Sequence, residues 1–283
     1  MMNLWYAIVD LLPFEWAVPG SMIFMKNALL GILVLCPLLG LLSTHIVTGR
    51  MSFFSDALGH SAFTGIAIGS LCGMAFPMGM AVLLSIVFAL LFTLVRRRST
   101  LSGDTVIGVF SSAAVALGIF IATWGGGSFT KFNSYLIGDI LSVTPAEIGI
   151  LFLVLAAVAL LWCFYSNRLF LSVLHPNLAD SRGISVGMIQ GLFTVVIAVV
   201  VTLALNWVGL LVINSLLVLP GAAARNFAKN LRGYHLASIL GALVCGITGL
   251  MMSYYWGCST GAAISLLLSV YFFVGFVLRG RRA

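Results

Sequence analysis

The sequence predicts an all-α, polytopic membrane protein, and three observations carry that prediction. The chain has 283 residues, is 61% hydrophobic and only 7% charged, against about 25% charged residues in an ordinary soluble domain. Its apolar runs repeatedly reach the roughly 20 residues that a helix needs to cross a hydrocarbon core of about 30 Å. The polar connections between them are too short to hold a second folded unit, so one transmembrane domain over residues 1–283 is expected. The net charge of +7 does not point to nucleic acid, because the basic residues are scattered among loops and form no patch or helix face.

The first element is the stretch "MMNLWYAIVDLLPFEWAVPG". It lacks a basic leading region and carries Asp10 and Glu15 among its apolar residues, unlike a cleaved signal peptide. Trp5, Tyr6 and Trp16 suit the headgroup boundary, so residues 1–20 are expected to lie along the interface. Candidate spans then follow near 22–46, 55–73, 77–95, 104–123, 145–165, 184–205, 208–225, 233–253 and 259–278, giving eight or nine helices. The run "VGLLVINSLLVLPGAAA" is the weakest of them.

If these spans alternate, twelve basic residues fall on one side: Arg50, Arg96 to Arg98, Arg168, Arg182, Arg225, Lys229, Arg232, Arg279, Arg281 and Arg282. Only Lys26 and Lys131 fall on the other. Such a bias places the basic side in the cytoplasm, with the N-terminus outside and the C-terminus inside. Two connections exceed a simple turn. Residues 124–144 mix glycines with apolar residues and suit a re-entrant or interfacial segment on the outside. Residues 166–185, "SNRLFLSVLHPNLADSRGIS", form a cytoplasmic loop with a short helical run ending near Gly183, a natural docking element.

The chemistry concentrates in "FFSDALGHSAFTGIAIGSLCG", where Asp56 and His60 stand four residues apart on one helix face. Measured from Arg50 at about 1.5 Å per residue, His60 lies roughly 15 Å along the helix, near mid-bilayer. Ionisable side chains cost several kcal/mol there and mark functional sites by default. A second line, Ala57, Ser61, Gly65, Gly69 and Gly73, lets a neighbouring backbone come close. A carboxylate and an imidazole chelate Zn²⁺, Mn²⁺ or Fe²⁺, and two ligands with vacancies left for water suit a transit site that must release its ion. The plainer alternative is that Asp56 caps the helix and His60 bonds a carbonyl.

Other polar residues carry less. Asp139, in "YLIGDILSV", lies in the re-entrant candidate and is an additional ligand candidate for an ion entering from outside. Asp104 reads as an N-cap, Asn214 as a helix-packing hydrogen-bonder, and His45, His175 and His235 as solvated boundary residues. The five cysteines form no CxxC pair, indicate neither a disulfide framework nor a zinc cluster, and are expected to be small buried hydrophobes. No Walker A loop, zinc-protease helix or nucleophile elbow occurs, so catalysis by this chain is not expected.

Four blocks in order, "GRMSFFSDALGHSAFTGIAIG", "SGDTVIGVFSSAAVALG", "SYLIGDILSVTPAE" and "VGLLVINSLLVLPGAAARNFA", resemble the permease subunit of the bacterial zinc, manganese and iron ABC importers, the ABC-3 family. The resemblance runs from about Phe24 to Val277. It implies a type II importer-like permease in the bacterial plasma membrane that forms a homodimer, binds a pair of cytoplasmic ABC ATPase subunits and receives its ion from an extracytoplasmic metal-binding protein. It maps the family's metal-pathway residues onto Asp56 and His60, and an ATPase-coupling segment onto "HPNLADSRGISVG", with Leu178, Ala179 and Gly183 at matching places. Asn177 stands where an acidic residue is common, and Gly221 and Ala223 depart from the usual late pattern. No permanent cofactor is implied: the divalent metal is cargo, and ATP is used by the partner. One oxygen and one nitrogen ligand do not decide the metal; zinc is expected first, then manganese, then iron. The competing reading is a secondary transporter driven by an ion gradient, with Asp56 as proton carrier.

Overall fold

In a bilayer, apolar runs can satisfy their backbone polar groups only as helices or closed barrels. The computed structural model of the chain, which describes residues 2–11, 13–124 and 140–280, contains helices and turns and no strand among those residues. In chain order the helices are α1 (Met2–Val9), α2 (Ile23–Thr48), α3 (Phe54–Leu71), α4 (Pro77–Arg98), α5 (Gly103–Thr123), α6 (Pro145–Leu174), α7 (Pro176–Ser181), α8 (Val186–Val208), α9 (Leu210–Phe227), α10 (Leu231–Trp256) and α11 (Thr260–Gly280). Asp139 lies outside the described residues.

Among the described residues, eight helices are long and apolar enough to cross a membrane: α2, α4, α5, α6, α8, α9, α10 and α11. The ninth long helix, α3, has 18 residues, and its charged and small side chains keep it out of that group. Its neighbours compensate. Helix α3 packs against α4, α5, α8 and α9, and most of its residues are buried. Helix α2 is the other enclosed element, with 78% of its most apolar stretch buried against 22% for α4 and α6. It packs on α6, α9, α10 and the short turn at Ile140–Ser142. The peripheral helices turn Leu83, Val87, Leu90, Leu153, Leu160 and Phe164 outward, as a lipid-facing surface requires.

Small residues set the spacing around α3. A Cβ on Gly65 would lie 2.4 Å from the backbone Cα of Ala81 on α4, and one on Gly69 would lie 3.0 Å from the Cα of Pro77. On the α5 side, a Cβ on Gly118 would meet Thr64 Oγ1 at 2.7 Å. The line of small residues therefore pins α3 to α4, as its spacing indicates, except that α3 ends at Leu71 and Gly73 turns the chain at φ +66.

Three further expectations change. Helix α6 does not stop near residue 165 but runs 30 residues to Leu174, about 45 Å. Trp162, Leu169 and Phe170 are buried along it, so packing carries the helix through the polar Ser166, Asn167 and Arg168. The first half of the supposed loop 166–185 is thus helix, and only α7 with its flanking turns joins α6 to α8. Asp104 is not the N-cap of α5. Ser102 is, accepting a hydrogen bond from the Thr105 amide at 3.2 Å, and Asp104 stands exposed in the first turn. Two of the five cysteines, Cys36 and Cys245, are buried, while Cys72, Cys163 and Cys258 are exposed.

The N-terminal segment packs on the start of α2. Helix α1 has eight residues, about 12 Å, too short to span a bilayer. The Trp5 indole donates to Lys26 O at 3.0 Å and the Tyr6 hydroxyl to Asn27 Oδ1 at 2.9 Å. Lys26, only 2% exposed, is ion-paired with Asp10 and donates to Val18 O at 3.0 Å. Removing one partner of a buried pair costs about 3 kcal/mol, because the other charge stays desolvated. Asp10→Asn is therefore expected to release residues 1–20 from the bundle, which limited proteolysis of the detergent-solubilised protein detects as faster cleavage before α2.

The loops on the basic side gather at one end of the bundle. Arg50, Arg96, Asp104, Gln190 and Arg225 line a common cleft of about 610 Å³. Arg50 adopts φ +53, a left-handed conformation rare for a side chain of this size, as the chain turns from α2 into α3.

Candidate functional site

Helix α3 begins at Phe54, so Asp56 sits in its first turn and His60 about 9 Å from its start. The depth measured from Arg50 is corrected accordingly, since residues 50–53 form a turn. The Asp56 side chain is 40% exposed and that of His60 is 24% exposed, on a helix whose other faces are mostly enclosed. His60 Nε2 lies 3.5 Å from Asp56 Oδ2. Two metal bonds of about 2.1 Å bridge such a gap without moving either side chain.

The capping alternative does not hold for Asp56. Phe53 occupies the cap position and no side chain caps the helix there. Asp56 Oδ1 instead accepts a hydrogen bond at 3.0 Å from the Asn214 amide on α9. This contact crosses 158 residues of sequence. Helix α9 reaches α3 because Gly59 has no side chain: a Cβ there would lie 2.1 Å from Leu210 Cδ1. Asn214 is the helix-packing hydrogen-bonder expected of it. Its hydrogen bond does join two helices, and the bond ends on the carboxylate.

Thr64, the next residue along the Asp56–His60 face, shares its hydroxyl hydrogen between His60 O at 3.0 Å and Ala114 O at 2.8 Å. That contact fixes the turn bearing His60 to α5. The pair is therefore held from two sides, by α9 below and by α5 above along the helix, while the outward face stays open. Among the described residues no group of three or more His, Cys, Asp or Glu side chains assembles here or elsewhere.

Elsewhere the histidines divide. His175 is exposed at the junction of α6 and α7. His45, expected to be solvated, is 1% exposed, with its ring centroid 4.1 Å from that of Phe193 and 5.2 Å from that of Phe170. His235 Nδ1 lies 2.9 Å from Thr44 Oγ1. Both histidines belong to an aromatic packing layer between α2, α6, α8 and α10, apart from the Asp56 pair.

The coupling candidates lie on and beside α7. Leu178 is 43% exposed and Ala179 fully buried, so the six-residue helix shows one apolar residue and seats the next. Gly183 takes φ +71, and the Ile184 amide donates to Ala179 O at 3.0 Å, which closes the turn into α8. The Gln190 amide donates to Ser172 O at 3.3 Å and ties α8 back to α6.

Residues 21–279 match the ABC 3 transport family. The chain is 29% identical to the manganese transport system membrane protein MntC of Listeria innocua, over 90% of each chain. It is 27% identical to the high-affinity zinc uptake system membrane protein ZnuB of Buchnera aphidicola, covering 89% of this chain and 96% of that one. Its fold matches a chain in the solved structure of PsaBC from Streptococcus pneumoniae in complex with Fab, with TM-score 0.77 and 26% identity over 98% of this chain and 95% of that one.

Proposed function

Because this chain belongs to the ABC 3 transport family, we propose that it is the plasma-membrane permease of an ATP-driven importer of divalent transition-metal ions, with Asp56 and His60 holding the ion in transit. The observation that carries the site is the exposure of both side chains on an otherwise enclosed helix. Lipid is a poor environment for an ionisable pair, which belongs on a bundle interior or a water-filled path. A second copy of the chain facing the first across this surface supplies such a path, in keeping with a homodimer.

The chemistry suits release as well as capture. One carboxylate and one imidazole leave most coordination positions to water, so the ion is only partly dehydrated. Rearrangement of the dimer then needs to break few bonds. The pair admits both manganese and zinc, and relatives are named for each.

The basic end faces the cytoplasm in this reading and the N-terminus lies outside. ATPase subunits dock on α7, and an extracytoplasmic metal-binding protein delivers the ion to the opposite end. Leu178 supplies the apolar contact to the ATPase, Ala179 seats the helix, and Gly183 permits the turn. Leu178→Asp is expected to cut ATP-driven uptake about tenfold or more, as loss of a buried interface anchor does. Metal binding to the permease should be unchanged, which isothermal titration on the purified assembly checks.

Proteoliposomes containing the permease with its ATPase test the function. Manganese or zinc uptake should require ATP and stop when the ATPase is omitted. Uptake that persists without the ATPase under an imposed ion gradient would establish the secondary-transporter alternative.

A further inference from the structure

Asp56 and His60 offer an ion few bonds, and no third histidine, cysteine or carboxylate joins them among the described residues. The polar side chain that reaches the pair from another helix is the Asn214 amide. Its Nδ2 donates to Asp56 Oδ1 at 3.0 Å, while its carbonyl oxygen Oδ1 is sealed from solvent and has no hydrogen-bond partner. A buried acceptor left unpaired costs about 1–3 kcal/mol, so nothing on the closed side holds the amide in this orientation.

We infer that the Asn214 carbonyl oxygen is a third ligand of the transported ion and biases the site toward manganese over zinc. The inference rests on the transport reading above. The terminal torsion of an amide is roughly two-fold, so half a turn exchanges Nδ2 and Oδ1. That turn places the oxygen where the nitrogen now lies, 3.0 Å from Asp56 Oδ1. Two oxygens bound to one cation at right angles, with bonds of about 2.1 Å, are about 3 Å apart.

Either orientation leaves one amide atom facing the closed side. The interaction with Asp56 therefore decides between them. A bare carboxylate selects the N–H donor, and a carboxylate carrying a divalent cation selects the oxygen. The amide holds Asp56 in place while the site is empty and becomes a ligand when the ion arrives. Adding an amide oxygen to one carboxylate and one imidazole moves the donor set toward oxygen, which suits manganese more than zinc. With only one oxygen and one nitrogen ligand in view, the sequence alone does not decide between the metals and leans to zinc.

The test uses the importer assembled with its ATPase in proteoliposomes, with manganese and zinc chloride titrated separately. Asn214→Leu is expected to raise the half-saturating manganese concentration about tenfold or more and that of zinc less than about threefold. Asn214→Asp keeps an oxygen and loses the N–H donor, so its preference for manganese over zinc should equal or exceed that of the native chain. If Asn214→Leu shifts both metals equally or neither, or if Asn214→Asp loses the manganese preference, Asn214 is only a packing residue. Should Asn214→Leu fail to assemble, the Asn214→Asp ratio alone decides. His60→Ala is the control: if it transports both metals normally, the transit site itself is wrong, whatever Asn214 does.

Discussion

Asp56→Ala combined with His60→Ala is expected to lower ATP-driven divalent-metal uptake by about a hundredfold or more while leaving assembly with the ATPase intact. Loss of a single supporting contact at a metal site costs roughly 10- to 100-fold in affinity or activity, and here the carboxylate and the imidazole disappear at once. The fold should tolerate the change. Both side chains are partly exposed, and the helix is held by other groups: Gly65 and Gly69 on α4, and Thr64 on α5. The alanine pair also removes charge from an apolar layer, which does not destabilise the bundle. The readout is uptake normalised to the amount of assembled complex recovered by size exclusion. Each single variant should lose more than half of the effect, because either change breaks the Asp56–His60 chelate.

Gly65→Val is expected to prevent the bundle from closing. A Cβ at Gly65 falls 2.4 Å from one backbone atom of Ala81 and 2.9 Å from another. Backbone cannot rotate away as a flexible side chain can, so α4 must move as a unit. Overpacking of this kind costs about 3 kcal/mol or more, and valine adds two methyl groups at the tightest point. The folded, monodisperse fraction in detergent should drop roughly tenfold. Gly108→Ala is the matching control. Nothing lies within 4 Å of a Cβ there, and φ is unremarkable. Replacing a helical glycine at an open position should raise stability by about 0.5–1 kcal/mol, visible as a higher melting temperature.

Much of this was legible in the sequence because membrane physics leaves so few choices. Hydropathy located the nine long helices among the described residues, including α9, whose sequence signal is weakest. It located α3 too, although Asp56, His60 and the glycines make that helix the least apolar of the set. The spacing of Asp56, His60, Gly65 and Gly69 gave two edges of one helix, and the contacts of Gly65 and Gly69 with α4 follow from that spacing.

What failed was whatever depended on a partner far away in the chain. The end of α6 was misplaced because Ser166, Asn167 and Arg168 break the apolar run. The helix continues because Leu169 and Phe170 find a buried surface formed by α2, α8 and α10. The place of His45 at the basic boundary predicts a solvated side chain, yet three aromatic rings surround it. Asn214 is the helix-packing hydrogen-bonder its sequence suggests, but nothing local shows that its partner is Asp56. That pairing depends on Gly59 admitting Leu210, a contact between residues on separate helices that no periodicity encodes.

The most direct test of the central claim is anomalous X-ray diffraction at the manganese edge from crystals of the assembled importer loaded with manganese. The account predicts a peak bonded at about 2.0–2.3 Å to the Asp56 carboxylate and the His60 imidazole. A well-occupied peak in the membrane region that touches neither residue would contradict it.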